Sequence, residues 1–180
     1  MNRLIAIKEQ NDIFKEYQNT PIGLLLEYHN LSKPFEKHTI AQLLVGMCMD
    51  NRNQLRIPNN FTYILRSGGG NLRYSEFKVS YAVAVGKVKH IALIGHSNCA
   101  MVNLHSRKEI FIEGLVENAG WDRTLATEHF IQFWPLFEIG NEIDFLLTET
   151  KRLRMRYPKI TIAPLYYKVE DNLLNLIDEK

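Results

Sequence analysis

Residues 43–52 read LLVGMCMDNR, an apolar run that ends at a cysteine and continues into alternating polar side chains. Strands that are buried on both faces of a parallel sheet are apolar at nearly every position. In open α/β sheets, ligands bind just beyond the carboxyl ends of such strands. The stretch therefore predicts a central strand with a site at its carboxyl end, where Cys48, Asp50 and Arg52 follow.

A second apolar run has the same character. Residues 91–95 are apolar throughout and lead into the sequence HSNC at 96–99. Between the two runs, a short strand pattern at 61–65 is followed by a helical pattern at 75–88. Strand, helix and strand in this order are typical of a βαβ unit, whose strands are parallel. We therefore expect both apolar runs to end at the same edge of one sheet.

The remaining sequence predicts further alternation of helices and strands, without an internal repeat or a linker. Residues 1–30 predict a helical N-terminal arm with a break at Pro21, available to pack on a neighbouring subunit. The other predicted elements are two helices and two strands, at 124–139, 142–157, 160–169 and 173–177. Together these patterns predict a single α/β domain over residues 1–180, with a mainly parallel central β-sheet flanked by helices.

The composition excludes several classes of protein. The chain has 180 residues, 46% of them hydrophobic and 23% charged, and a formal charge of +2. A net charge so close to zero gives no reason to expect a basic face that would bind nucleic acid or a membrane surface. The N-terminal apolar run, at 4–7, is too short for a signal peptide, and no window has the roughly 18 apolar residues of a membrane span. We expect a cytoplasmic protein with reduced thiols, no nucleic-acid partner and no membrane partner.

The two cysteines of the chain and one histidine converge at the predicted sheet edge. Two thiolates and an imidazole, supplied by Cys48, Cys99 and His96, are a suitable ligand set for zinc. Three protein ligands leave a fourth position for water, and zinc lowers the pKa of a bound water to about 7. Asp50 could then accept a hydrogen bond from the hydroxide, with Arg52 holding the carboxylate. A redox pair of Cys48 and Cys99, without zinc, is the alternative.

Three motifs, in order and at comparable separations, resemble those of the β-class carbonic anhydrases. These motifs are CMDNR at 48–52, RSGGGN at 66–71 and GHSNC at 95–99. They are similar to the family's Cys-x-Asp-x-Arg, its glycine-containing Arg-Asn-Ala-Gly type loop and its His-x-x-Cys. The resemblance implies zinc on the two cysteines and the histidine, and reversible hydration of carbon dioxide to bicarbonate by a zinc-bound hydroxide. It also implies a homodimer or a higher homo-oligomer.

The resemblance leaves the state of Asp50 open. In one state of the family's site, the aspartate pairs with the arginine, here Arg52, and receives the hydrogen bond of the hydroxide. In the other, it occupies the fourth zinc position and blocks turnover. The sequence is compatible with both states.

The substrate pocket departs from the family pattern. The resemblance places Tyr81 at a pocket tyrosine, and the loop with Ser67, Gly68 and Gly69 is a candidate lining, because consecutive glycines let backbone amides approach a small anion. Ser67 and Gly68 replace the family's common Asn and Ala. Because the pocket selects the substrate, carbonyl sulfide and carbon disulfide stay open beside carbon dioxide, as does a non-catalytic zinc-binding homologue.

Overall fold

The computed structural model describes residues 3–180 and contains six strands and five α-helices. The strands are β1 (Leu4–Ala6), β2 (Leu43–Cys48), β3 (Thr62–Ser67), β4 (His90–His96), β5 (Thr161–Lys168) and β6 (Leu173–Ile177). The helices are α1 (Pro21–His29), α2 (Glu76–Ala84), α3 (Lys108–Ala119), α4 (Arg123–Phe137) and α5 (Glu142–Arg156). All six strands lie in one sheet, in the order β1-β6-β5-β4-β2-β3.

Four strands form the parallel centre of this sheet. β2 pairs with β3 on one side and with β4 on the other, and β4 pairs with β5, all in parallel. β6 and β1 extend the sheet in antiparallel fashion. The mainly parallel sheet flanked by helices confirms the predicted α/β class. It also brings the carboxyl ends of β2 and β4 side by side, which is what positions the site.

Alternate side chains of the central strands enter two cores. Val45 and Ile94 pack on the face covered by α1. Leu44 and Leu93 pack on the opposite face, together with residues of α2 and α5. Because both faces are covered, β2 is buried at every position, as its continuous apolar sequence predicts.

The N-terminal segment differs from the predicted arm. Pro21 begins α1 instead of breaking a helix, because the first helical position needs no N–H, and the Thr20 side chain accepts from the next N–H groups. Leu4–Ala6 is a strand and not a helix. Leu25 of α1 is fully buried, so one face of this helix packs in the chain's own core. Residues 1 and 2 of the predicted arm lie outside the described residues.

The segment after β4 closes over the sheet edge. The helix predicted at 124–139 corresponds to α4, which contains Pro135 and ends two residues later at Phe137. Beyond that end, Ile139 forms a parallel bridge to Val102. This bridge ties the connection between α4 and α5 to the loop that follows β4. None of the helices within residues 3–180 is long and apolar enough to cross a membrane.

Candidate metal centre

The structure brings together the three side chains that the sequence predicts as ligands. Cys48 is the last residue of β2, His96 is the last residue of β4, and Cys99 lies in the turn that follows. One ligand atom from each of the three lies within 4.8 Å of the other two. All three residues are buried. Their assembly follows from the adjacent parallel strands, whose carboxyl ends meet at one edge.

His96 presents one ring nitrogen to the cluster. Its Nδ1 lies 2.9 Å from the carbonyl oxygen of Ser97, which accepts the Nδ1 proton and leaves Nε2 with a free lone pair. Nε2 is buried and has no hydrogen-bond partner among the described residues. A buried polar atom without a partner is rare in folded proteins, and a second ring nitrogen bound to a carbonyl is the usual arrangement of a metal-binding histidine. The histidine therefore fits a metal ligand.

The two cysteines are free thiols that interact with each other. A hydrogen bond between them lowers the pKa of the Cys48 thiol and raises that of Cys99. The backbone N–H groups of Asp50 and Gly69 donate to the Cys48 sulfur, and that of Met101 donates to the Cys99 sulfur. Each of these hydrogen bonds acts to lower the pKa of the thiol that accepts it, also at Cys99, where the net shift is upward. These donors stabilise the thiolate form, which is the form that binds metal. Two thiolates and one imidazole fit zinc.

Asp50 and Arg52 form an ion pair beside the cluster. Arg52 Nε donates to Asp50 Oδ1 at 3.0 Å, and Nη2 donates to Oδ2 at 2.7 Å. The backbone N–H of Arg52 adds a bond to Oδ1 at 2.9 Å. The Arg52 side chain lowers the pKa of the Asp50 carboxyl to about 2. In the structure, both carboxylate oxygens of Asp50 are therefore bound by Arg52.

Residues without a predicted role bind the backbone and side chain around this pair. Arg52 Nη2 donates to the carbonyl oxygen of Asn98 at 3.0 Å. The Tyr167 hydroxyl donates to the Arg52 carbonyl oxygen at 3.3 Å. Arg66, at the end of β3, donates to the Cys48 carbonyl oxygen at 3.0 Å. These acceptors are backbone groups, which every residue type has, so residue type does not predict the contacts.

The predicted pocket residues separate into two groups. Ser67 pairs with Cys48 across the sheet, and Gly68 and Gly69 form a buried tight turn directly after it. The Gly69 N–H reaches the Cys48 sulfur, so the glycine turn belongs to the site. Tyr81 lies on α2 and is 54% exposed. Within residues 3–180, its side chain forms no hydrogen bond or aromatic contact with Cys48, His96 or Cys99.

An apolar layer covers the two cysteines. Ile139 is buried against Cys48 and Cys99, with Met101 and Phe145 packed beside them. The Ile139 N–H donates to the Met101 carbonyl oxygen at 3.0 Å, which fixes this cover to the loop after β4. The surroundings of the sulfurs are thus apolar on one side, with the Asp50 ion pair providing polarity on the other.

Comparison with solved structures identifies the fold. A carbonic anhydrase from Glaciozyma antarctica is 16% identical, with a TM-score of 0.61 over 76% of this chain and 83% of the other. A β-carbonic anhydrase from Trichomonas vaginalis is also 16% identical, with a TM-score of 0.61 over 83% and 91%. A carbon disulfide hydrolase is 21% identical, with a TM-score of 0.52 over 78% and 80%. No protein-family model and no curated protein sequence matches the chain.

The class follows from these matches. The chain has the β-carbonic anhydrase-like α/β fold, as the motifs predicted. A carbon disulfide hydrolase is among its structural neighbours, so the fold by itself does not select one substrate.

Proposed function

We propose that this protein is a zinc-dependent carbonic anhydrase that interconverts carbon dioxide and bicarbonate. One observation carries the proposal: a buried Cys48, His96 and Cys99 cluster, with an unpartnered His96 Nε2, lies next to the ion-paired Asp50 and Arg52. A purely structural zinc site would take four protein ligands, whereas this set leaves a position open. Hydration of carbon dioxide needs an oriented water, and a carboxylate beside the open position can accept a hydrogen bond from that water.

Each residue has a role in the proposed reaction. Cys48, His96 and Cys99 would hold zinc, which supplies the Lewis acidity that makes water a nucleophile at neutral pH. Asp50 stays ionised at neutral pH because its pKa is about 2, so its carboxylate accepts the hydrogen bond of the attacking water and orients it. Arg52 keeps that carboxylate turned towards itself. The apolar cover limits competing solvent and suits a small, uncharged substrate.

A second candidate is hydrolysis of carbonyl sulfide or carbon disulfide. The buried Ile139, with Met101 and Phe145, forms an apolar surface against the two sulfurs, and a nonpolar linear substrate is compatible with such a surface. The same nucleophile would attack the central carbon of all three substrates. Carbon dioxide remains our first choice because the motifs resemble those of carbonic anhydrases.

Stopped-flow assays of the zinc-loaded protein test the proposal. We expect carbon dioxide hydration well above the uncatalysed rate, and a loss of about 100-fold in Asp50→Asn, which removes the charged acceptor. Release of sulfide from carbonyl sulfide or carbon disulfide, measured on the same preparation, separates the two candidates. Lys15→Gln, which changes a charge on the exposed surface before α1, is the matched control and should keep full activity.

Two outcomes would contradict the proposal. Sulfide release without carbon dioxide hydration would assign the second candidate. Stoichiometric zinc with no turnover of any of the three substrates would indicate a non-catalytic zinc-binding homologue.

We also propose that the protein assembles into a homodimer or a larger homo-oligomer. Large apolar side chains are exposed on α2 and on the edge strand β3, including Phe77, Tyr63 and Ile64. Exposed apolar patches and unpaired strand edges are commonly covered by association. The mass in solution, measured by light scattering, tests this proposal.

A further inference from the structure

A surface carboxylate outside the predicted motifs forms hydrogen bonds with the loop between His96 and Cys99. Glu170 lies in the turn between β5 and β6. Its Oε2 accepts a hydrogen bond from Ser97 Oγ at 2.8 Å, and its Oε1 accepts one from Asn98 Nδ2 at 2.9 Å. Ser97 Oγ also accepts the N–H of Val169 at 2.9 Å. Two consecutive residues of the loop between His96 and Cys99 are therefore bound to one turn.

Asn98 connects this turn to the ion pair. Its φ is 55°, in the left-handed region, where asparagine is one of the few tolerated non-glycine residues. Its side chain binds Glu170, while its carbonyl oxygen accepts the Arg52 Nη2 proton at 3.0 Å. The same Nη2 donates to Asp50 at 2.7 Å. A continuous series of hydrogen bonds therefore connects Glu170 to Asp50, through Asn98 and Arg52.

We propose that Glu170 is a positioning residue for the Asp50 and Arg52 pair, acting through the Asn98 carbonyl. The inference rests on the proposed function for its catalytic consequence, but the contacts themselves do not depend on it. By binding the Asn98 side chain, Glu170 restricts rotation of this left-handed residue and keeps its carbonyl oxygen directed at Arg52.

The position of Arg52 makes this support necessary. Its side chain is 43% exposed, so solvent competes for the guanidinium. Hydrogen bonds from an exposed arginine are short-lived unless several acceptors hold the group in one geometry. The carbonyl oxygen of Asn98 is a second acceptor for Arg52 Nη2, in addition to the Asp50 carboxylate. Without this second acceptor, the Arg52 guanidinium would turn towards solvent more often. The Asp50 carboxylate would then lose the hydrogen bonds that orient it.

Glu170→Ala, which removes both acceptors, tests the proposal, with Glu27→Ala as the matched control. Glu27 also uses both carboxylate oxygens, accepting from Gln10 Nε2 and Lys33 Nζ at 2.8 Å each, but it lies on α1. The first readout is proton NMR of the Arg52 Nε–H in the metal-free protein, with its resonance assigned through Arg52→Lys. We expect solvent exchange of this proton to become about tenfold faster in Glu170→Ala, the factor that one hydrogen bond to a charged group provides. The control should leave it unchanged.

The second readout is catalysis by the zinc-loaded protein. We expect kcat to fall about tenfold in Glu170→Ala, as for other residues that hold a site residue in position, with KM little changed. Asn98→Gly keeps a residue that accepts the left-handed backbone but removes the side-chain link. In that background, adding Glu170→Ala should have little further effect, because the two changes break the same connection.

The two readouts separate failure of this proposal from failure of the proposed function. Unchanged Arg52 Nε–H exchange in Glu170→Ala would overturn the positioning role, even if the melting temperature falls. Full additivity with Asn98→Gly would also overturn it. If the parent protein hydrates no carbon dioxide, the proposed function fails, while the exchange measurement still decides whether Glu170 positions Arg52.

Discussion

At the scale of single residues, the state of the site depends on which partner Asp50 has. The carboxylate is mostly buried, with 15% of its side chain exposed, and it accepts three hydrogen bonds from Arg52 within 3.0 Å. Such donors stabilise the ionised form strongly. The pair thus keeps Asp50 charged, and turned towards Arg52, over the whole neutral range of pH.

We predict that Arg52→Gln raises the pKa of Asp50 in the metal-free protein from about 2 towards the ordinary value of 3.8. Because the folded-state pKa is depressed, the pair contributes stability above about pH 4 and loses it as the pH falls towards 2. Parent and variant should therefore differ in urea stability at pH 5 and converge near pH 2. Carboxyl-carbon NMR measures the pKa, and Arg123→Gln, which breaks an exposed pair with Glu113, is the control. An unchanged Asp50 pKa would contradict the assignment.

At the scale of elements, the turn Gly68–Gly70 follows β3 and lies close to Cys48, one of the three proposed metal ligands. Gly70 has a φ of +71°, and a Cβ there would lie 3.2 Å from the Ile94 carbonyl oxygen and 3.8 Å from the Cys48 nitrogen. The turn thus needs glycine both for its backbone conformation and for its closeness to β2 and β4. All three glycines are buried in this packing.

We predict that Gly70→Ala destabilises the fold more than Gly120→Ala. Gly120 has a nearly identical φ of +70°, but a Cβ there would meet nothing within 4 Å. Both variants should lose about 1–2 kcal/mol from the left-handed conformation. Gly70→Ala should lose about 1–3 kcal/mol more from crowding and should also bind zinc more weakly. Urea unfolding and zinc titration measure the two effects, and equal losses in both variants would show that the close packing at Gly70 is unimportant.

At the scale of the whole molecule, the proposed zinc would cross-link the two central strands of the sheet. Its ligands come from the end of β2 and from the end of β4 and the turn beyond it. A ligand that binds only the folded state stabilises it by mass action. Zinc would then stabilise the fold as well as the reaction.

We predict that removing zinc with a chelator lowers the melting temperature of the protein by about 5–10 °C, which corresponds to free zinc at about 100 times its Kd. His96→Gln should already melt low and should not respond to the chelator. His90→Gln changes the histidine at the opposite end of β4 and should respond like the parent protein. A chelator response that survives in His96→Gln would exclude the proposed ligand set.

The sequence alone indicated the sheet and the cluster because their signals are local. Buried parallel strands are apolar at every position, so β2 and β4 could be recognised without knowledge of their partners. The bounds of a strand are not indicated in this way: Ile40 is apolar and lies just before the run, but it is 72% exposed and β2 begins only at Leu43. Whether an apolar residue belongs to a strand depends on what covers it.

Thus the sequence by itself determined the fold class, the central strands and the convergence of Cys48, His96 and Cys99, because residue type and order carry this information. Only the tertiary structure decided that Asp50 pairs with Arg52 and that Leu4–Ala6 joins the sheet. It alone connected Glu170 to the site. The physical reason is that Leu4–Ala6 and Glu170 contact residues distant in sequence. Asp50 and Arg52 are only two residues apart, but whether they pair depends on the conformation of the chain after β2. A local sequence pattern predicts neither the long-range contacts nor this conformation.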